Sequence, residues 1–81
     1  MSKNNNIWAI RLLTNTEIQT EEMCLYVVGI YGKALKFVDN QTYLVCVEAI
    51  RQDKEAIDYI RWNEANFTEE QIRELNILSS K

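Results

Sequence analysis

The 81-residue chain has room for one domain, and an apolar content of 47% is that of a globular protein and not of a disordered one. The apolar run around Leu25 to Ile30 falls far short of the ~20 residues that cross a bilayer, so no membrane association is expected. A formal charge of −3 argues against binding a phosphate backbone, which needs clustered Lys and Arg, and is compatible with a basic partner surface.

Met1 to Asn6 form a polar tail with no apolar signal segment after it; it is expected to be disordered, and the chain to be cytoplasmic. Residues 7–78 read as a single helical domain and 79–81 as its frayed end. Ala9 to Leu13 predict a first short helix. Thr20 is an N-cap candidate, with Glu21 and Glu22 at the positive end of the helix dipole. Met23, Cys24, Val27, Val28 and Tyr31 then recur at helical spacing. Gly32 stands where a left-handed residue would end that helix, and Lys33 to Val38 predict a short helix after it. Thr42 opens a second long helix with Val45, Cys46, Ala49 and Ile50 on its apolar stripe. Lys54 holds the place of the terminating glycine, and Glu55 to about Trp62 predict another short helix. Thr68, Glu69, Glu70 and Gln71 form a capping-box pattern ahead of a last long helix. The chain has no proline, which suits uninterrupted helices and brief turns.

The elements repeat. Thr20 to Gln41 laid over Thr42 to Asn63 matches Thr20 with Thr42, Cys24 with Cys46 and Ala34 with Ala56, without a gap. Apolar positions match between these anchors: Met23 with Val45, Val27 with Ala49, Val28 with Ile50, Leu35 with Ile57, Phe37 with Tyr59, Val38 with Ile60. Half-units flank the two full ones. Ala9 to Leu13 is similar to Ala34 to Val38, and Thr68 to Leu75 to Thr20 to Val27, with Ile72 in the cysteine's place. The expected fold is therefore all-α: a compact stack of about six alternating short and long helices forming tandem helical-hairpin repeats of about 22 residues. The expected core is Met23, Cys24, Val27, Val28, Leu35, Val38, Val45, Cys46, Ala49, Ile50, Ile57 and Ile60.

The pattern Thr-x-x-x-Cys, an apolar pair, then Gly/Lys-x-Ala-Leu/Ile-x-Phe/Tyr-Val/Ile resembles a family of short tandem helical repeats. That family is classed as a domain of unknown function and occurs in bacteria, protists and large viruses. The resemblance covers roughly Ala9 to Leu75, departs from the pattern at Lys54, and implies a fold but no activity.

The residue inventory lacks the usual means of catalysis. There is no histidine, hence no common general base and no Ser–His or Cys–His pair. Two cysteines without histidine make no zinc site, and Gly29 and Gly32 make no phosphate loop. No metal, no cofactor and no enzyme activity is expected. The carboxylate pairs Glu21–Glu22 and Glu69–Glu70 are explained by helix dipoles. Cys24 and Cys46 occupy the same place in successive units, which reads as a core slot with free thiols. Lys54 with Asp58, Arg51 with Glu55 and Glu69 with Arg73 stand at i,i+4, where surface ion pairs are expected.

Subtracting one unit from the other isolates residues that are large and apolar where the sister residue is polar. Tyr26 stands against Glu48, Ile30 against Gln52, Tyr43 against Glu21 and Trp62 against Asn40. Aromatic side chains at such places either pack on the terminal half-units, Trp8 and Phe67 included, or anchor a partner. The expected partner-binding surface is Tyr26, Ile30, Tyr43 and Trp62, rimmed by Glu22, Glu48 and Asp58. The function it implies is a non-enzymatic protein-interaction module, with a homodimer as one form. The alternative is a small acidic inhibitor, of phage or mobile-element type, occupying the basic groove of a host nucleic-acid enzyme. Direct nucleic-acid binding is disfavoured by charge.

Overall fold

Three threonines open the three longest helices in the same way. Thr20, Thr42 and Thr68 each hold an extended backbone and accept a hydrogen bond from the amide three residues on: Met23 at 3.1 Å, Val45 at 3.3 Å and Gln71 at 3.1 Å. At the third, Gln71 returns a bond from the Thr68 amide and completes a capping box. The structure, a computed structural model, describes residues 7–81; the tail at 1–6 lies outside them. The α-helices are α1 (Ile7–Thr14), α2 (Glu21–Ile30), α3 (Tyr43–Gln52) and α4 (Glu69–Ser80). Two 3-10 helices, η1 (Gly32–Phe37) and η2 (Lys54–Tyr59), lie between α2 and α3 and between α3 and α4. The described residues thus fold as six helices without a strand.

The short elements depart from expectation in type and length. They are 3-10 turns, each closed by an amide bonded three residues back, Val38 to Leu35 and Ile60 to Ile57. The second ends at Tyr59, so Arg61 and Trp62 belong to the connection that follows. The left-handed role expected of Gly32 is also corrected. No described residue has positive φ, and both long helices end on extended residues, Tyr31 (φ −142°, ψ 97°) and Asp53 (φ −154°, ψ 114°). Gly32 is required by space instead. A Cβ there would lie 2.5 Å from the Ala49 carbonyl oxygen, and its own amide donates to Gln52 Oε1 at 2.6 Å. Its counterpart Lys54 is exposed, so a side chain is accommodated there.

The elements pack in two rows. α1, η1 and η2 form one, with η1 touching both its neighbours; α2, α3 and α4 form the other, with α3 in the middle. Between the rows lie Val27, Val28, Leu35, Val38, Val45, Cys46, Ala49 and Ile50, each at most 1% exposed. Cys24 and Ile60 join them, while Met23 and Ile57 pack only at the margin. The expected core omitted Ala9, Leu13, Ala34, Ala56 and Leu75, all buried. Ala34 and Ala56 hold the same place in η1 and η2, and so small a residue suits the contact between those helices.

Two glutamines hold the rows in register. Gln41, the buried polar residue at the heart of the fold, donates to the carbonyls of Leu35 and Tyr59 at 3.0 Å and accepts from the Arg61 amide at 2.8 Å. Gln19 repeats the pattern 22 residues earlier, on the carbonyls of Leu13 and Phe37 and the amide of Asp39. This bonding equates Leu13 with Leu35 and so corrects the match of Ala9–Leu13 to Ala34–Val38 by three residues. Counted from its threonine cap, Ile72 keeps the place of Cys24 but is exposed, because among the described residues no further element covers that side of α4. α4 runs through Ser79 and Ser80, two residues into the segment expected to fray. Their hydroxyls donate to the carbonyls of Asn76 and Ile77.

Candidate functional site

The residues singled out by repeat subtraction separate into two groups. Tyr26 projects from α2 with 57% of its surface exposed, and its ring lies 6.2 Å from that of Trp8 on α1, itself 45% exposed. Leu12, one turn beyond Trp8, is 40% exposed. These three side chains form an apolar end to the stack. A shallow groove of about 410 Å³ adjoins it, lined by Trp8, Arg11, Leu12, Asn15, Thr16 and Met23.

The second group sits at the connection between η2 and α4. Tyr43 and Trp62 both pack edge-on against Phe67, at 6.5 and 6.1 Å. Tyr43 is half-buried there and serves to anchor the connection, whereas Trp62 borders a groove with Ile57, Ile60, Asp58, Asn76 and Ser79. Ile30, four residues after Tyr26, is half-buried. The expected single surface of Tyr26, Ile30, Tyr43 and Trp62 therefore resolves into an exposed end pair and a packed connection. Repeat subtraction missed Trp8 and Leu12 as exposed partners of Tyr26 because α1 has no full sister unit to be compared with.

The acids do not form a common rim contact. Glu48 lies across Gly29 of α2, its carboxylate 3.3 Å from where a Cβ on Gly29 would stand. Glu22 is exposed in the first turn of α2, and Asp58 belongs to the groove beside Trp62. Among the described residues the ion pairs are Lys33 with Glu55 (3.0 Å) and Asp53 (3.9 Å), and Arg61 with Glu64 (3.0 Å). None of the expected i,i+4 pairs is among them. Lys33 instead ties η1 to η2, and the Glu55 hydrogen bond raises its pKa. Lys36 also spans the two elements, 5.4 Å above the ring of Phe37 and 5.5 Å above that of Tyr59.

A polar cleft of about 350 Å³ opens between the turn before α3 and the connection at 61–67. Arg61 lines it, but its guanidinium is already turned to the carbonyls of Val38 and Asp39 and to the Glu64 carboxylate. That arrangement fastens the connection and leaves the cation poorly placed for an anionic ligand. Both cysteines are free and buried, and burial raises their pKa values, that of Cys46 to about 12. Such thiols are held protonated at neutral pH and are poor nucleophiles.

Among the described residues no cluster of three His, Cys, Asp or Glu side chains is placed to hold a metal ion, and no helix is long and apolar enough to cross a membrane. The chain matches no protein-family model, no curated protein and no solved structure.

Proposed function

We propose that the chain is a two-row helical-repeat module that acts by binding another protein, without catalysis, through the end of the stack formed by α1 and α2. The observation that carries this reading is the Trp8–Tyr26 pair: two aromatic rings in mutual contact, each about half exposed, beside the exposed Leu12. Aromatic residues that present an apolar face and a polar edge are the preferred anchors of protein interfaces, and their truncation there typically costs ~2 kcal/mol or more. The repeated threonine caps and glutamine bonds, 22 residues apart, support the repeat reading and agree with the resemblance to tandem helical repeats. In such stacks the body supplies rigidity and an end or an exposed face supplies recognition.

The test is retention of proteins from a cell extract by the immobilised chain, compared with a Trp8→Ala/Tyr26→Ala double variant. The expected result is a specific set of proteins bound by the wild type and lost by the variant, with the thermal midpoint lowered only slightly. An unchanged set on a folded double variant would remove the α1–α2 end from the function.

A further inference from the structure

The two ends of the stack continue each other's register, and we propose that the chain associates head to tail with a second copy of itself. This rests on the protein-binding reading above and names the partner. Inside the molecule, α3 on α2 shows how one layer receives the next. Glu48 of α3 lies over Gly29 of α2, and the Thr42 hydroxyl donates to Glu21 of α2 at 2.7 Å. In the other row, Lys33 of η1 pairs with Glu55 of η2 at 3.0 Å.

The threonine caps equate Thr20 with Thr42 and with Thr68. In that register Tyr26 holds the place of Glu48, so it projects from α2 toward the side where a preceding helix would lie. Ile77 of α4 holds the place of Gly29, and Glu69 that of Glu21. A second copy laid on α4 as α3 lies on α2 would bring its Tyr26 onto Ile77 and its Thr20 hydroxyl to Glu69. Tyr26 is 57% and Ile77 44% exposed, and Thr20 and Glu69 are exposed as well. Between α2 and α3 an acid meets glycine at this contact; the two outer ends carry large apolar side chains in both places.

The other row agrees in charge. Gln19 and Gln41 equate Leu13 with Leu35, which puts Arg11 in the place of Lys33, and Lys33 in that of Glu55. The next step along this row therefore sets Arg11 of the incoming copy against Glu55, again a cation against an acid. The groove beside α1 contains Arg11 and no acid, whereas the groove between η2 and α4 contains Asp58 and no cation. Trp8 and Leu12 of the incoming α1 would meet Ile57, Ile60 and Trp62 across that second groove. Contact between the two different ends leaves one end of each copy open, so the association grows beyond a dimer.

Sedimentation equilibrium of the full chain, with Tyr26→Arg, Ile77→Arg and an equimolar mixture of the two, tests the arrangement. The wild type should gain mass with concentration through dimer and larger species. Each variant alone has one blocked end in every contact and should sediment as a monomer with a near-native circular dichroism spectrum. The mixture retains one good pair of ends and should form a dimer and nothing larger. A wild type that stays monomeric at millimolar concentration would overturn the proposal, as would Ile77→Arg associating like the wild type or a mixture that stays monomeric. Concentration-dependent amide shifts in the wild type should map to both ends and spare α3, which reads the same contact without any variant. Ile77→Arg separates the two readings: binding of a foreign protein at Trp8 and Tyr26 is indifferent to it, and self-stacking is not.

Discussion

Gly29 and Gly32 are three residues apart, yet opposite effects are expected when each becomes alanine. At Gly29 the added methyl meets the far end of the Glu48 side chain, which can swing away, and replacing a helical glycine gains ~0.5–1 kcal/mol. At Gly32 it meets the Ala49 backbone oxygen at 2.5 Å, and neither partner can yield without moving α3. Gly29→Ala should leave the urea midpoint unchanged or raised, and Gly32→Ala should lower stability by ~2 kcal/mol. The thiol of Cys46 supplies a pH dependence. Its folded pKa, about 12, is raised by burial above the ordinary thiol value of 9.0. The folded state therefore holds this proton where the unfolded state releases it, and ∂ΔG/∂pH is negative between those values. The stabilisation is complete below pH 9 and declines as pH rises toward 12. The stability difference between wild type and Cys46→Ala should shrink across that window; a constant difference would mean that the thiol titrates alike in both states. Gln41→Ala removes partners from two carbonyls and one amide, at a cost of ~3 kcal/mol. The signal for it was in the sequence, as the dipeptide Gln-Thr at 19–20 and again at 41–42. A comparison that scores apolar matches passes over a repeated polar residue, although a buried polar group with all its bonds made fixes register more strictly than another methyl group would.

The long helices were legible because a threonine cap and an apolar stripe agree at each start, joined by dipole acids in α2 and α4. Thr68→Ala should cost ~1 kcal/mol through the lost cap, and Leu75→Ala, at the one buried residue of α4, ~3 kcal/mol through the lost contact with the core. Equal losses from the two would mean that α4 is held by its own helical bonds instead of by docking. The short elements were legible in place but not in kind. Six residues between an extended cap and a glutamine clamp leave room for about two turns, and 3-10 bonding spans that distance with fewer residues per turn. The connection at 61–67 was not legible past Asn63, since residues 64–67 have no sister segment. Its structure depends on Phe67 reaching back to Tyr43 and Trp62, and on Arg61 reaching back to the carbonyls after η1. Those contacts turn Tyr43 from an expected surface anchor into a packed ring.

At the scale of the whole molecule, the sequence sets the aromatic residues apart from their sister positions, but their grouping required the rows. Only the stacking order shows that Tyr26 faces the open side of α2 and that Trp8 stands beside it. The same order has a kinetic consequence. Every pair of elements that packs extensively is adjacent in the chain or separated by a single element, so no contact of weight closes a loop much longer than one unit. The entropy of loop closure is met in small, similar instalments, and the chain can begin to order at either glutamine and extend outward from there. Helical chains of such local connectivity refold in microseconds to milliseconds. Stopped-flow refolding should be a single phase at or below the millisecond range. Gln41→Ala should slow it more than Leu75→Ala does, because the clamp joins three successive elements while Leu75 secures only the last to arrive.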